Sequence, residues 1–322
     1  MDAVILAAGI GKRMKTKLPK VLHPIDDTPM ICYLLKTICK VNQINNIIIV
    51  VPPDYKLISE TIKRYFPSDS VRIHFAIQKN QLGTGDAFMA ARNSGQVKSD
   101  DIFVFCGDMP LISLATIKKL LEIYEKTEQD AIILTAIFEN PAGYGRIVKD
   151  KNNRVLKIVE HRDANKNELK IKEVNSGVYI FKKEPVLNVL NLLKNKNDQK
   201  EYYLTDVIYY LNKKKRMVTA YTTDDSAEIC GINQREELAY VEKLRNQRKI
   251  KILMLEGVSF ENPDTCYISD ETSIGMDTYI ETGVIIRGRS IIGKNCRIGA
   301  CSVLKDVVIY DNTKIYPLTR MY

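Results

Sequence analysis

Apolar residues follow two different periods along the chain. Up to about residue 140, apolar runs at 3–7, 47–52, 71–77, 102–106 and 131–138 alternate with helical spacing at 29–40, 54–66, 84–93 and 113–126. Such runs predict strands, and Val4, Ile5 and Leu6 a fully buried one. Their alternation with helices predicts a parallel, doubly wound α/β sheet of Rossmann-like type. Residues 140–235 hold further short strands and turns, including "NPAGYGRIV" and "EVNSGVYIF", and are expected to form an insert closing the far side of a cleft. The stretch "NQREELAYVEKLRNQRKIKIL" then predicts a helix leading out of the domain. Three units are expected: a domain over 1–235, a linker helix over 236–254 and a repeat domain over 255–322.

In that last segment the period becomes six. Ile268, Ile274, Ile280, Ile286, Ile292, Ile298 and Leu304 recur without a break, and Ile309 and Ile315 continue the series after a slip of one residue. Two residues before each of the first seven stand Cys266, Thr272, Thr278, Val284, Ser290, Cys296 and Ser302, all small or β-branched. This pattern predicts a parallel β-helix of hexapeptide repeats, with aliphatic side chains stacked inward and small ones at the corners.

Composition narrows the function classes. At 322 residues the chain can bury a large core and a smaller second one. No apolar run approaches the roughly 20 residues a membrane helix needs, and the first strand is too short and lacks the charged lead of a signal peptide. Seven cysteines without a CxxC pair suggest reduced, mostly buried thiols, hence a cytoplasmic protein with no membrane partner. Three histidines, none spaced i, i+4, argue against zinc. The net charge of +9 is scattered and not interleaved with aromatics, which argues against nucleic acid and for an acidic small substrate.

The chemistry concentrates where predicted strands end, which is where open α/β sheets bind ligands. After the first strand come Gly9 and Gly11, then Lys12, Arg13, Lys15, Lys17 and Lys20. Gln78 to Gly85 follow the third strand, and Gly107 and Asp108 the fourth. Glycines let backbone N–H groups approach a ligand, and cations suit a polyanionic one. The dinucleotide fingerprint fails because Met14 occupies its third glycine, and a P-loop fails because Leu6 and Arg13 flank Gly11-Lys12 wrongly. A phosphate site of a third type is expected, with Lys12, Lys15 and Lys17 solvated. Taken alone, Asp108 could instead cap the helix that starts near Ser113.

"LAAGIGKRM" with "LPKVL" resembles the shared signature of sugar nucleotidyltransferases. "QLGTGDA", "GDMPLIS", "VEHRDA", "EVNSGVYIF", "EYYLTDVI" and "GINQREEL", followed by the hexapeptides, resemble the bacterial N-acetylglucosamine-1-phosphate uridylyltransferase family from residue 3 to the end. The resemblance implies a nucleotidyltransferase domain, a left-handed β-helix, and synthesis of UDP-N-acetylglucosamine, a peptidoglycan precursor, from UTP and N-acetylglucosamine-1-phosphate. It implies that the backbone of Leu6, Ala7, Ala8 and Gly9 cradles the nucleotide, with Arg13 and Lys20 on its phosphates. Gln78, Gly83 and Thr84 would read uracil, and Gly145, Glu160 and Asn175 would contact the sugar. Asp108 and Asn233 would hold Mg²⁺, and the β-helix would carry a homotrimer. Asp86 departs from the family's usual histidine. About three coils are expected and no histidine follows His161, so no acetyltransferase activity is expected. The alternatives are a related enzyme using glucose-1-phosphate or dTTP, and a non-catalytic regulatory homologue, although the latter would be expected to lose Arg13, Lys20, Asp108 and Asn233.

Overall fold

The fully buried run at Val4 and Ile5 has apolar neighbours on both sides because it lies in the middle of a sheet. Burial of each such side chain stabilises the fold by about 1.5–3 kcal/mol. The structure is a computed structural model describing residues 1–67 and 72–322; the expected strand start at Val71 and the side chain of Lys12 lie outside the described residues. The chain divides into two compact units, one formed by residues 1–23 and 29–234, the other by 24–28 and 235–322.

The first unit contains β1 (Asp2–Leu6), β2 (Asn46–Val51), β3 (Arg72–Ile77), β4 (Asp101–Cys106) and β5 (Ala131–Ile137). It continues with β6 (Arg146–Lys149), β7 (Val155–Val159), β8 (Glu173–Lys182) and β9 (Val218–Thr222). The sheet order is β9-β5-β8-β4-β1-β2-β3, with β6 pairing β8 and β7. Strands β1, β2, β3 and β4 run parallel, and β9 runs parallel to β5. Helices α1 (Met30–Ile38), α2 (Lys56–Tyr65), α3 (Thr84–Asn93) and α4 (Leu114–Lys126) connect the early strands. Shorter helices α5 (Lys183–Leu190) and α6 (Asp206–Lys213) follow β8. The doubly wound, mostly parallel sheet is thus present, and one expectation is corrected. The segment 140–235 is more than an insert closing a cleft, because β8 lies antiparallel between β4 and β5 in the middle of the sheet. Val178, Tyr179, Ile180 and Phe181 are all buried, so this strand needs cover on both faces.

In the second unit, α7 (Arg235–Leu255) precedes a left-handed β-helix whose short strands stack in three parallel sheets. Tyr279 pairs with Arg297 and Ile291 with Val308, spacings of 18 and 17 residues. The one-residue slip in the sequence is therefore a coil one residue shorter. Ile268, Ile280, Ile286, Ile298 and Leu304 are fully buried in the stack. The small residues before them are buried too, and their hydroxyls are satisfied by backbone carbonyls at the corners. Thr278 donates to the Gly293 carbonyl at 2.8 Å, Ser290 to Arg287 at 2.9 Å and Ser302 to Tyr316 at 3.1 Å. Buried Arg245 of α7 bonds the Ile268 carbonyl at 2.9 Å and Asp270 at 3.1 Å, and pairs with buried Asp26 at 3.4 Å. These contacts, all made through Nη1, offset part of the cost of burying its charge.

Corner residues recur with positive φ at coil spacing. Gly283 (φ 70°), Cys301 (56°) and Leu318 (63°) occupy one such series. A left-handed backbone costs a branched L-residue about 1–2 kcal/mol, whereas Asn tolerates it. Leu318 is 76% exposed, so replacing it forfeits little burial. Leu318→Asn is expected to stabilise the β-helix by about 0.5–1 kcal/mol, read as a higher denaturation midpoint. An unchanged or lower midpoint would count against strain at this corner.

Candidate active site

The exits of β1 and β4 run side by side because residue 107 has no side chain. The Gly107 N–H donates to the Leu6 carbonyl at 2.9 Å, and a Cβ there would stand 3.1 Å from the Ala7 Cβ. Beyond β1, Gly11 (φ 64°) turns the chain and buried Met14 anchors it, the Met14 N–H bonding the Gly11 carbonyl at 2.8 Å. A Cβ at Gly9 would meet nothing within 4 Å. Packing within the protein therefore does not explain that glycine, whereas an approaching ligand would.

Asp108 leaves β4 with its backbone carbonyl accepting the Ile232 N–H at 3.0 Å, which brings the segment 231–233 alongside. The Lys20 ammonium donates to Asp108 Oδ2 and, at 2.8 Å, to Asn233 Oδ1. The side chains of Lys20 and Asp108 are 11% and 19% exposed, so this triad sits at the floor of a cleft. Two oxygens converging on one cationic centre, one anionic and one neutral, form a donor set that fits a hard divalent cation. Among the described residues no cluster of three His, Cys, Asp or Glu offers a metal site, so further ligands would have to be phosphate oxygens or water. Asp108 does not cap α4, because Ser113 does so by accepting the Thr116 N–H at 3.1 Å.

On one wall, the Gln78 backbone N–H bonds the Val51 carbonyl and its Nε2 donates to the Gly83 carbonyl at 3.0 Å and to Asp86 Oδ2 at 2.7 Å. Gly83 adopts φ 102°, and a Cβ there would lie 2.6 Å from the Tyr202 carbonyl oxygen. The segment is zipped to residues 201–204: the Tyr202 N–H bonds the Leu82 carbonyl at 2.7 Å and the Gly85 N–H bonds the Tyr202 carbonyl at 2.7 Å. The Thr84 hydroxyl accepts the Leu204 N–H at 3.0 Å.

On the other side, Glu160 accepts the Thr205 hydroxyl at 3.0 Å, and burial pushes its carboxyl above the usual range despite that bond. Asn175 donates its backbone N–H to the Gly145 carbonyl at 2.9 Å and its Nδ2 to the Tyr179 hydroxyl at 2.8 Å. A Cβ at Gly145 would stand 3.6 Å from both Glu160 Oε1 and the Asn175 Cβ, so these three residues form one group. The Asn175 Oδ1 is buried without a hydrogen-bond partner.

Leu6, Ala7, Ala8, Gly9, Arg13, Lys20, Gln78, Gly83, Thr84, Asp108, Glu160 and Asn233 line a single cleft of about 600 Å³. Arg13 lies exposed on its rim. Gly145 and Asn175 do not line that surface; they stand behind Glu160. Sequence reasoning missed Gln81, whose Nε2 bonds the Ala8 carbonyl at 2.8 Å across the cleft, and Cys106 and Glu201 in its wall. Gln81 and Glu201 each open a quoted motif, "QLGTGDA" and "EYYLTDVI", and Cys106 directly precedes "GDMPLIS", but no feature of their own residue types marked them out. Burial, reinforced by Asp108, pushes the Cys106 thiol up to about 12, so it stays protonated and is not a nucleophile.

The chain matches the nucleotidyl transferase family over residues 2–249 and the bacterial transferase hexapeptide (six repeats) family over 271–306. It is 42% identical to the bifunctional protein GlmU of Geobacillus sp. (strain WCH70), over 97% of this chain and 66% of that protein. With the bifunctional protein GlmU of Carboxydothermus hydrogenoformans it shares 38% identity, over 98% of this chain and 68% of that protein. The chain thus spans about two thirds of the length of these relatives. Among solved structures, a UDP-glucose pyrophosphorylase complexed with UDP-glucose superposes with a TM-score of 0.63 at 18% identity, covering 77% of this chain and 98% of that one. The inositol-1-phosphate CTP transferase from T. maritima gives 0.55 at 20% identity, covering 75% and 96%. At that identity these two establish the fold alone. Identity of about 40% along nearly the whole chain carries more, and by it the chain belongs to the GlmU family of nucleotidyltransferases with C-terminal hexapeptide repeats.

Proposed function

We propose that this protein is a UTP:N-acetylglucosamine-1-phosphate uridylyltransferase, forming UDP-N-acetylglucosamine and pyrophosphate. The observation that carries the reading is the convergence of Lys20, Asp108 and Asn233 at the floor of a cleft walled by the Gln78–Thr84 loop and Glu160. A phosphate oxygen of the sugar phosphate attacks the α-phosphorus of UTP. The new P–O bond forms as the bond to the β-phosphate breaks, and pyrophosphate leaves with the electron pair. The attacking oxygen is already anionic, so no protein base is needed, and catalysis rests on positioning and charge stabilisation.

In this reading the backbone of Leu6 to Gly9 lies along the nucleotide, Lys20 is a point charge for the α-phosphate region, and Arg13 offers its fork to the leaving phosphates. Gln78, Gly83 and Thr84 face the base. Glu160 takes sugar hydroxyls, with Gly145 and Asn175 shaping its surroundings. The family's reaction is divalent-metal dependent, and Mg²⁺ is the proposed ion, held by Asp108 and Asn233. When bound it would neutralise charge on the triphosphate and on departing pyrophosphate. We propose a homotrimer through the β-helix, supported by Ile291 and Val308, which pair side by side yet stay 53% and 57% exposed. No described helix is long and apolar enough to cross a membrane, and a cytoplasmic location is proposed.

A matrix of UTP, CTP and dTTP against N-acetylglucosamine-1-phosphate and glucose-1-phosphate tests the assignment. The highest kcat/KM is expected for UTP with the acetylated sugar. A higher value for glucose-1-phosphate or dTTP would overturn it, and no turnover with any pair would favour a non-catalytic role.

A further inference from the structure

Asp86, in the first turn of α3, makes bonds that reach beyond its own helix. Its Oδ2 accepts the Gln78 Nε2 at 2.7 Å and the Leu82 backbone N–H at 3.3 Å. Gln78 gives its other amide hydrogen to the Gly83 carbonyl at 3.0 Å. A carboxamide has two hydrogens to donate, and here both go to groups that only accept. The amide is therefore locked in one orientation, and what Gln78 can still offer a ligand is the acceptor Oε1. Gln78 is 4% exposed and yet lines the cleft, so this single polar atom meets its ligand in a largely water-free place.

An acceptor in that position distinguishes pyrimidines. Uracil carries a hydrogen on ring N3 and can donate it to Oε1, whereas cytosine has an unprotonated N3 whose lone pair would oppose the lone pairs of Oε1. A site built to receive a hydrogen bond rejects a ligand that cannot supply it. We propose that Asp86 is a positioning residue that sets the preference for UTP over CTP, by holding the Gln78 carboxamide with its oxygen toward the base. This rests on the uridylyltransferase reading above. Without Asp86, only the Gly83 carbonyl still holds the amide, so the group can more readily turn to present a donor, which cytosine N3 accepts.

The test is kcat/KM for UTP and CTP with N-acetylglucosamine-1-phosphate in the full chain, wild type against Asp86→Ala and Asp86→Asn. Asp86→Ala should shrink the UTP/CTP ratio at least tenfold, chiefly through a higher KM for UTP. Asp86→Asn should keep most of the ratio. Both Gln78 and Leu82 demand an acceptor at the same atom, so the asparagine will place its Oδ1 there. If Asp86→Ala does not fold, Asp86→Ser is read in the same way, because its short hydroxyl does not replace the carboxylate at Gln78. A ratio within twofold of wild type in the alanine or serine variant overturns the proposal alone. A wild-type enzyme with no preference for UTP overturns the nucleotide assignment and this proposal together.

Discussion

Asp108→Asn is expected to lower turnover by about 10²–10³-fold while leaving the fold intact. The substitution keeps the shape of the side chain. It also leaves untouched the Ile232 N–H bond to the Asp108 carbonyl, which holds the segment 231–233 beside the exit of β4. What disappears is a full negative charge facing the Lys20 ammonium and, in the proposed mechanism, the anionic oxygen that holds the divalent cation. An amide oxygen is a weaker hard donor, so the Mg²⁺ concentration giving half-maximal rate should rise as the maximum falls. The rate over a Mg²⁺ titration, with a thermal melt of both proteins, checks this. Turnover near wild type at ordinary Mg²⁺ would remove Asp108 from the mechanism.

Lys20→Met should lower turnover by about a hundredfold and yet tighten cation binding to the protein without nucleotide. The two effects have separate causes. Loss of turnover follows from removing a positive charge from the proposed phosphate path. Tighter cation binding follows from geometry, because the ammonium bonds both Asp108 Oδ2 and Asn233 Oδ1, the two oxygens proposed for the metal. Methionine keeps much of the chain's bulk and presents no charge, leaving the Asp108 carboxylate uncompensated in a partly dry place. Calorimetric titration of Mg²⁺ into nucleotide-free wild type and variant reads the second effect directly. Unchanged or weaker binding in the variant would show that ammonium and dication do not compete for these oxygens.

Where physical signals are local, the sequence could be read directly. Strands β1, β2, β4 and β5 are legible because burial on both faces demands nearly continuous apolar runs, whereas β3, at the sheet edge with Arg72 and Ile77 exposed, carries a broken one. The β-helix is legible because each coil repeats the same inward position. Even the shortened coil before Ile309 shows as a slip of one residue. Pairing over long separations leaves no such mark. Val178 to Phe181 read as a buried strand, but nothing nearby says that it enters between β4 and β5. Likewise Lys20, Asp108 and Asn233 could each be picked out, but their meeting at one point depends on three loops brought together by the sheet. Asp86 was visible only as a departure from a motif. Its bond to Gln78 crosses a turn, and neither partner's type predicts it.

The place of β8 has a consequence for the order in which the chain can be assembled. As the polypeptide emerges during synthesis, β1, β2, β3 and β4 can pair as soon as they are made. The outer backbone edge of β4 then waits for β8, because β5, made earlier, joins the sheet only through that strand. An unpaired central edge flanked by Phe103 and Phe105 is a template for mispairing with another nascent chain. Ribosome pausing before residue 182 would prolong that vulnerable interval. Closure of the edge also delivers Asn175, on the same strand, so the proposed sugar side of the site becomes ordered only in the step that ends the exposure.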